Sequence, residues 1–246
     1  GALAVDYNLN YYKNGWAWDT KMIGAFGINK NSDSKFSKKT DDRIEINSLV
    51  GKNFTKELSY SSFVNFKTQF ARGYKYSNSS TGVEQRNETT RFFSPAYIQL
   101  GVGVYWKKSK DFWINMAPVT GRLIIANKKF TSNLNDGEEY FGISKGNTSR
   151  FELGASLTGF YKFELIENVI LEQSLSLYSD YLQNAENIDV DYTISAFMKI
   201  NDYLSTSLIV QCRYDDNAVK KVQLREVFGL AVTLDLLEIP SLISKI

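Results

Sequence analysis

Asp189 and Asp191 stand two residues apart in a stretch where polar and apolar residues alternate. Both carboxylates therefore fall on one face of a strand, a placement that admits a carboxylate-only site. Asp215 with Asp216, and Glu138 with Glu139, are adjacent acids in polar stretches and read more simply as solvated turn residues. Asp136, Glu138 and Glu139 offer carboxylates for calcium, but without the ligand spacing of an EF-hand loop. The chain contains no histidine. Nucleophilic chemistry that relies on an imidazole base, and metal sites built on imidazole, are thereby absent. Cys212 is the single cysteine, which excludes an intrachain disulfide and a thiolate cluster and reads as a small apolar strand residue. Gly101 and Gly103 lie in mid-strand, not in a strand–turn–helix context, so dinucleotide binding is not expected; they read as sites of close packing against a bulky side chain or of a bend. The triplets at Asn78, Asn87 and Asn147 are expected by chance in Asn-rich loops. No catalytic, cofactor-binding or metal-binding residue is assigned, and the protein is not expected to be an enzyme.

A larger set of charges shares one face of the alternating segments: Arg43, Glu45, Lys67, Arg150, Glu152, Glu172, Asp189, Asp191, Lys199, Arg213 and Arg225. Both signs are present. Such a face can line a narrow pore, or it can form a network of ion pairs that fills and stiffens an enclosed space, since confined charges must be paired or solvated. The second account is the simpler one.

The elements that carry these residues are strands. Leu3, Val5, Tyr7, Leu9 and Tyr11 oppose Asp6, Asn8 and Asn10, and Asn14-Gly15 then gives a hairpin signal. The same unit recurs along the chain and predicts eleven strands of about 10 to 14 residues. Short turns are expected at Asn14-Gly15, Thr55-Lys56-Glu57, Ser109-Lys110-Asp111, Glu167-Asn168 and Asn201-Asp202. Between them fall longer polar stretches at about 29–40, 75–90, 127–148, 183–187 and 215–221. Strict alternation of short and long connections is the pattern of outer-membrane barrels.

Composition agrees. The 246 residues show no compositional break, so a single domain over 1–246 is expected. Hydrophobic residues are 43%, yet mean hydropathy is −0.29, and apolar runs such as Leu123-Ile124-Ile125-Ala126 are far too short for a spanning helix of about 20 residues. With 29 basic and 27 acidic residues interspersed, nucleic acid is not an expected partner.

Aromatic placement separates a membrane wall from a soluble sheet with one wet face. Trp16, Trp18, Trp106 and Trp113 all lie within about three residues of a short turn, and Tyr11, Tyr12, Phe54, Phe112, Tyr161, Phe163 and Tyr203 cluster with them. A second group, including Phe70, Tyr74, Phe92, Phe93, Tyr97, Tyr178, Tyr181 and Tyr214, sits near the long stretches. Two aromatic levels flanking an aliphatic band match the girdles of a lipid-facing barrel. The expected fold is therefore an all-β, antiparallel transmembrane β-barrel. Even strand number and short periplasmic turns predict about 12 strands, 11 in this chain and one upstream of Gly1. Twelve strands tilted near 40° enclose a backbone radius of about 12 Å.

Several segments resemble a domain-of-unknown-function family of outer-membrane barrels from Bacteroidota. They are Lys39-Thr40-Asp41-Asp42-Arg43-Ile44-Glu45-Ile46-Asn47-Ser48, Asn65-Phe66-Lys67-Thr68-Gln69-Phe70-Ala71 with Gly73-Tyr74, and Phe93-Ser94-Pro95-Ala96-Tyr97. Pro118-Val119-Thr120-Gly121, Glu186-Asn187-Ile188-Asp189-Val190 and Tyr214-Asp215-Asp216 continue the likeness in the same order. The tail Leu236 to Ile246 departs from the family pattern, in which the last strand commonly ends in an aromatic residue. The resemblance implies fold and location, with one more strand at the start, but no activity.

The expected role is a non-enzymatic structural or accessory subunit of an outer-membrane assembly, with a narrow charge-lined channel as the alternative and a membrane enzyme acting on lipid or glycan as the more distant rival. Expected partners are outer-membrane lipid and lipopolysaccharide, and other outer-membrane or periplasmic proteins, with short turns in the periplasm and long loops outside. No cofactor is expected.

Overall fold

The computed structural model describes residues 1–232 except 33, 81, 184 and 216–218. Its elements are β1 (Ala2–Lys13), β2 (Trp16–Asn29), β3 (Lys38–Asn53), β4 (Leu58–Thr68), β5 (Gly73–Asn78), β6 (Glu84–Thr90), β7 (Ala96–Lys107) and β8 (Phe112–Ile125). A one-turn helix α1 (Lys128–Thr131) and the short β9 (Glu139–Tyr140) and β10 (Ile143–Ser144) follow. The chain continues as β11 (Ser149–Ile166), β12 (Val169–Asp180), β13 (Ile188–Lys199), β14 (Leu204–Asp215) and β15 (Val219–Val232). No helix is long and apolar enough to cross a membrane.

Eleven of these strands form one sheet in the order β1-β2-β3-β4-β7-β8-β11-β12-β13-β14-β15, every neighbour pair antiparallel. The expected short turns fall where the composition placed them: Asn14 and Gly15 both take positive φ, 52° and 74°, as the tightest hairpins require. Two expected loops contain structure of their own. Residues 73–90 fold back as the β5–β6 hairpin, and 126–148 carries α1 with the β9–β10 pair. The expected loop at 215–221 contracts, because pairing runs on to Asp215 opposite Val219. The residues between them, Asp216 included, and the tail from Thr233 onward lie outside the described residues.

The sheet is strongly curled. A single cavity is lined by residues from all eleven strands, and Arg225 of β15 reaches Asp41 of β3 at 4.0 Å. The two edges, β1 and β15, are not paired with each other among the described residues.

Alternation gives the two faces opposite character. Leu3 (72% exposed), Phe151 (60%) and Phe228 (70%) stand on the convex side with Val5, Tyr7, Leu100, Val102 and Leu230. On the concave side Glu152 is only 1% exposed. Of the largest fully buried side chains, Glu152, Thr120, Thr131 and Ser94 are polar and only Ile143 is apolar. The buried apolar cluster is correspondingly small: Ile124, Ala126 and Ile143, with Tyr97, Tyr140 and Phe141 against it. Polar groups inside and large apolar groups outside invert the arrangement that water imposes on a soluble sheet.

Candidate functional site

Strict alternation along β8 from Phe112 would send Arg122 to the convex face. A bulge prevents this. Pairing with β7 passes from Val104–Met116 to Val102–Val119, and pairing with β11 passes from Ser156–Ala117 to Gly154–Thr120. The extra residue falls beside Pro118, which has no N–H for the ladder. Gly103 makes the bulge feasible, since a Cβ there would run into the Met116 carbonyl oxygen. Beyond the bulge Thr120, Arg122 and Ile124 turn inward.

Arg122 then occupies the centre of a charge cluster. Its Nη1 donates to Asp189 at 2.6 Å and to Glu152 at 3.3 Å, and its guanidinium lies 3.6 Å from the Tyr178 ring centre. Arg150 meets Glu152 at 3.1 Å and Asp180 at 3.5 Å. The five charged side chains come from β8, β11, β12 and β13, so the cluster spans one side of the curl. Close geometry and multiple partners are what make buried charges tolerable there.

The other expected charges are distributed around it. Asp191 pairs with Arg213 at 2.8 Å. Arg43 and Arg225 share Asp41, at 3.9 and 4.0 Å. Glu45 and Lys67 are cross-strand partners on the cavity wall, yet neither forms an ion pair among the described residues. Glu172 pairs with Lys162 (2.8 Å), and Lys199 with Asp202 in the turn after β13 (2.7 Å). Alternation alone missed Arg122, Asp41, Lys162 and Asp180; only the position of Pro118 within an otherwise regular strand hinted at the first.

A cavity of about 1090 Å³ fills the rest of the concave side, and a second of about 370 Å³ continues toward the short turns. Tyr12, Asp19, Leu49, Tyr105 and Lys107 line both and form the collar between them. Tyr12 donates to Asp19 at 2.6 Å, and the Lys107 ammonium lies 5.8 Å from the Tyr12 ring centre. Gly101 is one reason for the space available to Phe63: a Cβ at that position would strike the Phe63 ring.

Trp18 and Trp106 line neither cavity, and Trp16 lines only the smaller one. Trp16 and Trp18 are about half exposed, and Trp106 packs edge-on to Phe112, which packs edge-on to Tyr161. Trp113 departs from the expectation of an interface aromatic. It lines the cavity, 5.7 Å from Tyr105 and 6.0 Å from Phe160 between ring centres. Adjacent residues of a strand face opposite ways, so Phe112 and Trp113 continue two separate aromatic rows.

The long connections interlock at the other end. Asp42 accepts from the N–H groups of Phe70 (2.7 Å) and Ala71 (3.0 Å) and pairs with Lys39 (2.5 Å). Gln69 donates to the carbonyls of Arg91 and Ser94, and Tyr140 donates to those of Thr89 and Ser94. Burial pushes the Tyr140 hydroxyl up to about 12. Glu88 gathers Lys129 (2.6 Å), Arg91 (2.7 Å) and Arg72 (3.8 Å), and the hydrogen bond from Lys129 leads the effects holding its carboxyl below the usual range. Beside them Arg86 lies between the rings of Phe36 and Tyr74, at 4.5 and 4.3 Å.

The acids considered for chemistry have structural partners instead. Asp189 and Asp191 are bound to Arg122 and Arg213, Asp136 to Lys145, Glu138 to the Asn135 N–H and Glu139 to Ser144. Among the described residues no group of three or more His, Cys, Asp or Glu is arranged for a metal.

Fold and site together define an all-β protein: a curled eleven-stranded antiparallel meander with a charged interior and an apolar exterior. Residues 1–74 match a family described as "Protein of unknown function (DUF3078)". No curated protein and no solved structure matches the chain.

Proposed function

We propose that this chain forms the wall of a β-barrel in a bacterial outer membrane, and that it serves there as a non-enzymatic structural or accessory subunit of a protein assembly. The observation that carries this is the inverted sheet: large apolar side chains cover the convex face while Glu152 and its partners are buried on the concave one. Lipid satisfies the first and an enclosed lumen the second. The edges support closure as well. In an antiparallel sheet of eleven strands the first and last run the same way, so one more strand, antiparallel to both, completes a wall of twelve without an open edge. Short turns would face the periplasm and the interlocked loops the exterior, with lipid and lipopolysaccharide around the convex face.

Purification tests the membrane assignment. The protein is expected to be monodisperse only in detergent and to migrate faster unheated than boiled on a denaturing gel. A monodisperse species in detergent-free buffer would overturn it. A narrow channel is the second reading, favoured by the cavity of about 1090 Å³. Planar-bilayer recording separates the two: steady unitary currents support the channel, and a silent bilayer with folded protein supports the filled wall. A hydrolase acting on lipid or glycan gains least, since Asp189 and Asp191 are engaged by arginines.

A further inference from the structure

We infer that the large cavity is a binding chamber for a small phosphate-bearing solute. This goes beyond a structural role and uses only the concave face, so it does not depend on whether lipid covers the convex one.

The charge balance of the wall is uneven. Seven basic side chains line the cavity against three acidic ones, Asp19, Glu45 and Asp191. Ion pairing does not remove the excess. Arg43 and Arg225 share the one carboxylate of Asp41, while Lys67, Lys107 and Lys110 have no ion pair among the described residues. Within a partly enclosed space lined by protein, an unbalanced set of cations produces a field that concentrates anions.

The rest of the lining is neutral amide and hydroxyl, including Asn47, Asn65 and Gln211. Such groups can bind the hydroxyls and carbonyls of a solute while the guanidinium and ammonium groups hold its phosphate. The volume, about 1090 Å³, exceeds what a single inorganic ion fills and suits a phosphorylated metabolite-sized molecule. The lining extends to the short turns. Lys110 belongs to one of them, and the smaller cavity, with Lys13 and Lys56 on its wall, joins the large one at the Tyr12–Lys107 collar.

Calorimetric titration of the folded protein, in detergent or in plain buffer as its solubility dictates, with inorganic pyrophosphate tests this, with citrate as a second titrant to separate phosphate from carboxylate. The expected result is saturable pyrophosphate binding that weakens as sodium chloride rises, at least about tenfold weaker in the double variant Lys67→Gln, Lys107→Gln. Lys145→Gln, on an outer loop and paired with Asp136, should bind as the parent does. Should the double variant not fold, each single variant replaces it, with a smaller loss expected. No saturable binding to the parent protein would overturn the proposal. So would equal weakening by Lys145→Gln, or tighter binding of citrate than of pyrophosphate.

Discussion

Arg122 donates to Asp189 at 2.6 Å across two intervening strands, and this bond exists because Pro118 displaces the register of β8. Removing the arginine would take the 2.6 Å guanidinium contact from Asp189 and leave Glu152 dependent on Arg150. Arg122→Leu is expected to lower stability by about 3 kcal/mol, the size usual for breaking a buried pair by deleting one member. The urea midpoint of the folded-to-unfolded gel shift reads this directly. Arg122→Lys should lose less, retaining charge but not the forked geometry.

Gly101 and Gly103 predict contrasting outcomes. A methyl group at Gly101 meets the Phe63 ring, which can be changed, whereas at Gly103 it meets the backbone of Met116 and Ala117, which cannot. Each alanine variant should cost about 1–3 kcal/mol. Adding Phe63→Leu should recover part of the loss for Gly101→Ala and none for Gly103→Ala, as a double-mutant cycle would measure.

Acidification should loosen the interlocked loops. Glu88 is held below the ordinary carboxylate range, so its contribution is complete above the unfolded value of about 4.3 and disappears as pH falls through the lower folded value. Protonation would also leave Lys129, Arg91 and Arg72 facing one another without their anion. Amide exchange in residues 126–148 should therefore accelerate below about pH 4, corrected for intrinsic rates. Glu88→Gln should show fast exchange at neutral pH and little further change on acidification.

Asp42→Ala removes the acceptor for two backbone N–H groups and the partner of Lys39. A cost of about 2 kcal/mol is expected, with local loss of exchange protection at Phe70 and Ala71. Asp42→Asn should retain about half of it, since an amide oxygen still accepts.

Fluorescence quenching examines the two aromatic rows. With the convex face in lipid, as proposed, brominated acyl chains should quench Trp16, Trp18 and Trp106 but spare Trp113. Single-tryptophan variants make the comparison. Equal quenching of Trp113 would contradict its place on the cavity wall.

The strands were legible in the sequence because each is written in a period of two, as in Leu3, Val5, Tyr7 and Leu9, and because Asn14-Gly15 marks its own turn. Period two also identified the inward charges of β11 and β13, where alternation continues unbroken through Arg150, Glu152, Asp189 and Asp191. It failed on β8. A bulge shifts the phase by one residue, and phase is all that assigns a side chain to a face, so Arg122 escaped notice. Trp113 differs for another reason: proximity to a turn gives its height along the strand but not its face. The β5–β6 hairpin carries few apolar residues, so a polar segment with internal pairing looked like a plain loop.

The meander has a kinetic corollary. Each strand pairs with the one formed just before it, aside from the two intervening loop hairpins, so every step of sheet growth closes a short stretch of chain. Loop-closure entropy stays small at each addition, and the wall can lengthen hairpin by hairpin from either side. If the wall closes as proposed, joining the β1 side to the β15 side is the exception, because those strands are more than two hundred positions apart. The slow event in forming this protein should accordingly be the final seam, with everything before it assembled from neighbours.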